Sequence, residues 1–172
     1  MVSRAERYIK QKQFKSFLQI KLPIKMAKVH DIAPILRGVM HCDDKAMIMD
    51  FRTSPEIRKF VCGKQIRRYA VQGTATPDHV IRIKQKPFIA PIAEQGKLDK
   101  FARESEAQML KYVHDYKSYF NRNNKRFGGE KTELDPIPRM ILVPGVGVFG
   151  LGNSAKSAKI AADLIETNIS II

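Results

Sequence analysis

Several things are scarce in this chain of 172 residues. It has two cysteines, Cys42 and Cys62, too few for a disulfide framework and spaced for neither a zinc site nor a redox pair. No apolar run approaches the ~18 residues that a membrane helix needs. The N-terminal MVSRAERYIKQ has no apolar signal core, so a reducing, cytoplasmic setting is expected and no membrane partner. Ten glycines, nine prolines and no repeat exclude collagen, solenoid and low-complexity readings. Acids are few, 17 against 31 Lys and Arg, which leaves a net charge of +14. At 44% hydrophobic the chain can still build a core, and apolar runs along most of its length exclude disorder.

Half of the positive excess sits in the first sixth of the chain. Arg4, Arg7, Lys10, Lys12, Lys15, Lys21, Lys25 and Lys28 face a single acid, Glu6. Such a segment suits an arm for phosphate groups, or a solvated strip facing an acidic neighbour. No groove-reading motif accompanies it, and a nucleic-acid partner is not expected. Residues 1–24 are therefore read as a basic helix or arm, and 25–172 as one α/β domain.

The pattern of elements supports that class. Ser3 and Glu6 form a capping-box pattern for a helix over 3–14. Helical spacing recurs over 25–40, with a kink or break expected at Pro34. Residues 45–51 read as a strand. Ser54, Pro55 and Glu56 supply an N-cap, a proline at N1 and an early acid for a helix ending at Gly63. A second helix is expected over 64–71, then a turn at 73–78 and a strand over 79–83. Pro87 and Pro91 confine a strand over 88–92 to an edge or bulge. The longest helix spans 98–123 and carries Tyr112, Tyr116 and Tyr119, read as the amphipathic edge where a helix meets a sheet, or else as a ligand-stacking surface. A charged loop fills 124–138. Residues 139–152 form two strands or one bent strand, and Ser154 caps a last helix through 169 with Ala158, Ala161, Ala162 and Ile165 on its buried face. Strands separated by helices predict an α/β layered domain with a mixed sheet and helices on its faces.

Three constellations bear on chemistry. Gly145, Gly147 and Gly150 spell G-x-G-x-x-G, in which glycines let a backbone approach a pyrophosphate. The helix cap lies four residues past the third glycine, and the intervening residues are apolar, so a glycine-rich strand against a close helix is the plainer reading. The histidines His30, His41, His79 and His114 make no H-x-H or H-E-x-x-H, and His41–Cys42–Asp43–Asp44 is dense in donors that adjacent residues do not aim at one ion; no metal ligand is expected. The third is Gly73–Thr74–Ala75–Thr76–Pro77–Asp78–His79, followed by Arg82 and Lys84. It allows acid/base work by Asp78 and His79 beside an anion held by Thr74, Thr76, Arg82 and Lys84, or plain turn chemistry.

Two stretches, GTATPDHVIRIK (73–84) and DPIPRMILVPGVGVFGLG with the helix after it (135–172), resemble the central region of bifunctional class II aldolase/short-chain dehydrogenase proteins, the rhamnulose-1-phosphate aldolase/alcohol dehydrogenase type. SRAERYI (3–9) resembles the helix after the aldolase domain's last metal histidine. The resemblance implies a class II aldolase/adducin-like fold. It places the zinc histidines of that family upstream of residue 1 and its NAD motif after residue 172. Neither zinc nor NAD is then expected on this chain. The implied role is an accessory module of a sugar-metabolising enzyme, partnered by aldolase and dehydrogenase domains or by itself, near an anionic sugar phosphate.

Overall fold

The computed structural model describes residue 4 and residues 6–8, 18–42 and 45–171. Four strands make the main sheet: β3 (Ile48–Arg52), β4 (Phe88–Ile89), β5 (Met140–Val143) and β6 (Gly147–Gly152). Their spatial order is β3-β6-β5-β4. β3 and β5 flank β6 antiparallel, and β4 runs parallel to β5, so the sheet is mixed, as the sequence predicts. β4 lies at an edge, where its flanking prolines cost no ladder bonds. A small hairpin, β1 (His41–Cys42) with β2 (Lys45–Ala46), precedes β3. The single strand expected over 45–51 is thus divided between that hairpin and β3.

β5 and β6 show why both faces of the sheet are covered. Ile141, Val143, Phe149 and Leu151 point to one side; Met140, Leu142 and Val148 point to the other, and all are buried. Side chains alternate along a strand, so two apolar sets require two cores. On the first side lie α1 (Val29–Val39), through Ile32 and Leu36, and α5 (Leu98–Arg126), through Phe101 and Met109. On the second lie α2 (Pro55–Val61), α3 (Ile66–Tyr69), α4 (Pro77–Ile83) and α6 (Ala155–Ile171). Each fully buried aliphatic side chain stabilises this arrangement by about 1.5–3 kcal/mol.

Several helix signals operate as written. Ser54 Oγ accepts the Ile57 N–H at 3.1 Å, and Pro55 follows at N1. Ser154 Oγ accepts the Ser157 N–H at 3.1 Å at the head of α6. The helix over 64–71 shrinks to the four residues of α3. α1 runs through Pro34 without a break. Pro34 and His30 are both exposed, so the His30 carbonyl that loses its donor is solvated instead. The capping box at Ser3 lies outside the described residues, although Arg4 and residues 6–8 are helical.

The strand expected over 79–83 is helix α4 instead. Thr76, Pro77 and Asp78 repeat the Ser54–Pro55–Glu56 code: extended residue, proline at N1, acid in the first turn. Ile83 is fully buried while Ile81 is 79% exposed, which is helical and not alternating burial.

Close packing of α6 on β6 rests on small residues. A Cβ at Gly150 would lie 2.5 Å from the Ala158 carbonyl and against the Ala162 backbone. Gly152 is closed off in the same way by Ser157 and Ala158. Arg52 adds a polar tie across the sheet edge: Nη2 donates to Asp163 of α6 at 3.2 Å, and Nε lies 3.1 Å from Asp50. No described helix is long and apolar enough to cross a membrane.

Candidate functional site

The geometry of α4 decides what the 73–84 segment can do. On a helix, residues three and four apart share a face. His79 and Ile83 turn toward α6, Val80 and Lys84 turn toward α5, and Asp78 and Arg82 remain exposed. The arrangement based on a strand, with Arg82 and Lys84 on one face, does not form. Asp78 and His79 are neighbours on different sides of α4, and neither the cleft beside α4 and α5 nor the one beside Lys21 and Phe101 is lined by Asp78, His79 or Arg82.

The polar groups of the segment are committed to the fold. Thr74 Oγ1 donates to the Thr76 carbonyl at 2.9 Å, closing the turn. Thr76 makes no side-chain cap bond. Asn168 of α6 accepts the Ala75 N–H at 2.9 Å, and His79 Nδ1 stands 3.5 Å from the same oxygen. Lys84 ends α4 with φ +59°, a left-handed conformation that is unusual for a side chain with a Cβ. From there its ammonium bonds the Asp135 carbonyl, sits 3.6 Å from the Asp135 carboxylate and lies 4.7 Å above the Tyr116 ring. Asp135 is also held by Arg139, Nη1 to Oδ1 at 3.0 Å and Nη2 to Oδ2, and accepts the Ile137 N–H at 3.1 Å. Partial burial opposes the Asp135 charge. The Arg139 hydrogen bond, with the Lys84 and Arg139 charges, outweighs it, so the carboxyl is held below its ordinary value.

The glycines are equally committed. Gly145 occupies the β5–β6 turn with φ +80°, and its N–H donates to Cys62 Sγ at 3.2 Å. A Cβ there would strike Met26 and Leu22. Gly150 pairs with Asp50 of β3 and Met140 of β5, one on either side of β6, and Gly147 pairs with Val143 of β5. Both lie inside a paired strand with Phe51, Arg52 and the α6 backbone against them, not in an open loop at a helix N-terminus, so the G-x-G-x-x-G residues do not fit a dinucleotide. Among the described residues no cluster of three His, Cys, Asp or Glu side chains is placed to hold a metal ion. Asp43 and Asp44 lie outside the described residues.

A cleft of about 430 Å³ lies between α4, β4 and the middle of α5. Tyr112 anchors its floor: the ring packs edge-on against Phe88, and the hydroxyl donates to the Lys86 carbonyl at 2.9 Å. Burial raises the ionisation of Tyr112 and Tyr116 above the tyrosine range. Tyr112 therefore behaves as the amphipathic edge expected of the tyrosine row. Tyr119, one turn further along the cleft, is 47% exposed. Sequence reasoning did not single out Arg67, Gln85, Lys86 or Gln108, which share this cleft. The tyrosine row and Lys84, an anion-holding candidate of the 73–84 segment, are the sequence signals that fall on this cleft.

Residues 27–172 match the family described as aldolase class II, second domain. The chain is also 28% identical over 142 residues to the uncharacterized oxidoreductase YuxG of Bacillus subtilis (strain 168), an alignment covering 82% of this chain and 20% of that protein. The chain thus spans about a fifth of the length of the curated relative it matches. No solved structure matches it. The family match takes in every strand of the mixed sheet and every helix packed on it, and the chain belongs to the aldolase class II, second domain, family.

Proposed function

We propose that this chain is an accessory, non-catalytic module related to bifunctional sugar-phosphate aldolase/short-chain alcohol dehydrogenase enzymes, packed beside catalytic domains in the cytoplasm. One observation carries the reading. The two stretches that resemble that family grip each other: Lys84 bonds Asp135, and Asn168 ties Ala75 and His79. Residues that look chemical in the sequence act as clasps between α4, the 127–139 loop and α6. The oxidoreductase name of the Bacillus relative, matched over a fifth of its length, fits a module that accompanies a redox domain.

The test is turnover. The purified chain is assayed for aldol cleavage of ketose 1-phosphates with added Zn²⁺ and for NAD-dependent oxidation of short-chain alcohols and aldehydes. The accessory reading expects rates equal to the protein-free blank. Turnover above blank that disappears in Asp78→Asn or His79→Ala would establish the competing reading, an anion-binding enzyme with an acid/base pair.

A further inference from the structure

We propose that the cleft between α4, β4 and α5 binds a mononucleotide: a flat heteroaromatic base carrying a phosphate monoester. The reading is independent of the accessory role, because it concerns binding and that role concerns turnover.

Size, charge and wall chemistry point the same way. The volume of about 430 Å³ falls in the range of small-ligand sites, ~300–1,000 Å³. Four cations border the cleft: Arg67, Lys84, Lys86 and Lys111. Two are answered by acids, Lys84 by Asp135 at 3.6 Å and Lys111 by Asp115 at 3.1 Å. Arg67 and Lys86 have no carboxylate partner among the described residues. Two unanswered cations match a phosphate monoester, which carries roughly −1.5 to −2 at neutral pH.

The walls argue for an aromatic body on that anion. Val71, Val80, Phe88 and Leu134 give the cleft an apolar lining that a free sugar phosphate would leave wet. The Tyr116 ring already carries the Lys84 ammonium, whereas Tyr119 offers an exposed ring for stacking. The amides of Gln85 and Gln108 line the same space with no hydrogen-bond partner among the described residues, and Gln108 is half-buried. An amide offers both a donor and an acceptor, the pair that the polar edge of a base requires.

Calorimetry on the full chain at about 150 mM salt, where loose association with a +14 protein is screened, separates the components. The probes are AMP, adenosine, ribose 5-phosphate, phenyl phosphate and inorganic phosphate. AMP is expected to saturate one site, with adenosine at least about tenfold weaker for want of the anion. Tyr119→Ala should weaken AMP roughly tenfold, and the pair Arg67→Ala with Lys86→Ala by at least as much. All three side chains are exposed, so the melting temperature of each variant should stay at the wild-type value. Absence of AMP binding by the wild-type chain overturns the proposal. So does ribose 5-phosphate, phenyl phosphate or inorganic phosphate binding as tightly as AMP, since none of them presents a base edge.

Discussion

Lys84 and Asp135 stand 51 positions apart and join the end of α4 to the loop that follows α5. Asp135 is the hub, because Arg139 takes both its carboxylate oxygens while Lys84 takes its carbonyl. Replacing Asp135 with Asn keeps the shape and removes the charge. The side chain is 41% exposed, so solvent screening limits the loss to about 1 kcal/mol at pH 7. In a chain of this length that is a fall in melting temperature of about 2–4 °C. The folded carboxyl is held below its ordinary value of 3.8, so its contribution is complete above that value and disappears as pH falls through the folded value. Thermal melts from pH 7 to pH 2 should therefore show wild type and Asp135→Asn converging at the acid end. A constant gap would deny the charge a role.

Two glycines make opposite predictions. At Gly150 a methyl group meets the backbone of α6, which cannot move without lifting from β6. Gly150→Ala should cost about 3 kcal/mol or more and leave much of the protein insoluble. Gly38 is an exposed residue of α1 with nothing within 4 Å of a added Cβ and no left-handed backbone angle. Gly38→Ala should stabilise by about 0.5–1 kcal/mol through helix propensity. Urea denaturation of both variants measures the contrast.

The two helix starts that share one code are not equivalent. Ser54 Oγ caps α2, so Ser54→Ala should cost about 1 kcal/mol. Thr76 precedes α4 in the same extended conformation without a side-chain cap. Thr76→Ala should fall within about 0.5 kcal/mol of wild type, as expected of a substitution that removes no bond. Equal losses at both positions would contradict the geometry.

Alkaline titration reads the buried tyrosines. Of five tyrosines, three are raised by burial: Tyr69 to about 12, and Tyr112 and Tyr116 above their ordinary 10.0. A folded value above the unfolded one means stability is intact below pH 10 and is lost as pH climbs past it. The phenolate absorbance should rise in two stages, the later one coinciding with loss of helical circular dichroism. A single transition at the ordinary value would place these rings in water. Tyr112→Phe removes the bond to the Lys86 carbonyl and should cost about 1 kcal/mol.

Much of the architecture is legible in the residues. Ser54–Pro55–Glu56, the unbroken apolar run over 140–143 and the alanines of α6 each state one local requirement, and the fold meets all three. The Thr76–Pro77–Asp78 start carries the same code as Ser54, but the β-branched Val80, Ile81 and Ile83 in the 79–83 run obscure it with a strand-like composition. Burial of Ile83 against α6, a tertiary contact, favours the helix. Pro34 misleads for a related reason: its cost depends on whether the orphaned carbonyl reaches water, and that is a property of the face. The cleft is least legible. Arg67 of α3, Lys86 before β4, and Gln108 and Tyr119 three turns apart on α5 come from distant parts of the sequence, and no local pattern announces that they will meet. The G-x-G-x-x-G string shows the converse, a local pattern whose meaning is set by the strands beside it.

The central proposal is that the residues by which this chain resembles aldolase/dehydrogenase proteins hold the domain together and perform no reaction. Steady-state assays of the purified chain, following NADH absorbance and aldol cleavage with Zn²⁺ present, test it most directly. The account predicts product formation at the blank rate for wild type, Asp78→Asn and His79→Ala alike. Measurable turnover by wild type that either substitution abolishes would contradict it.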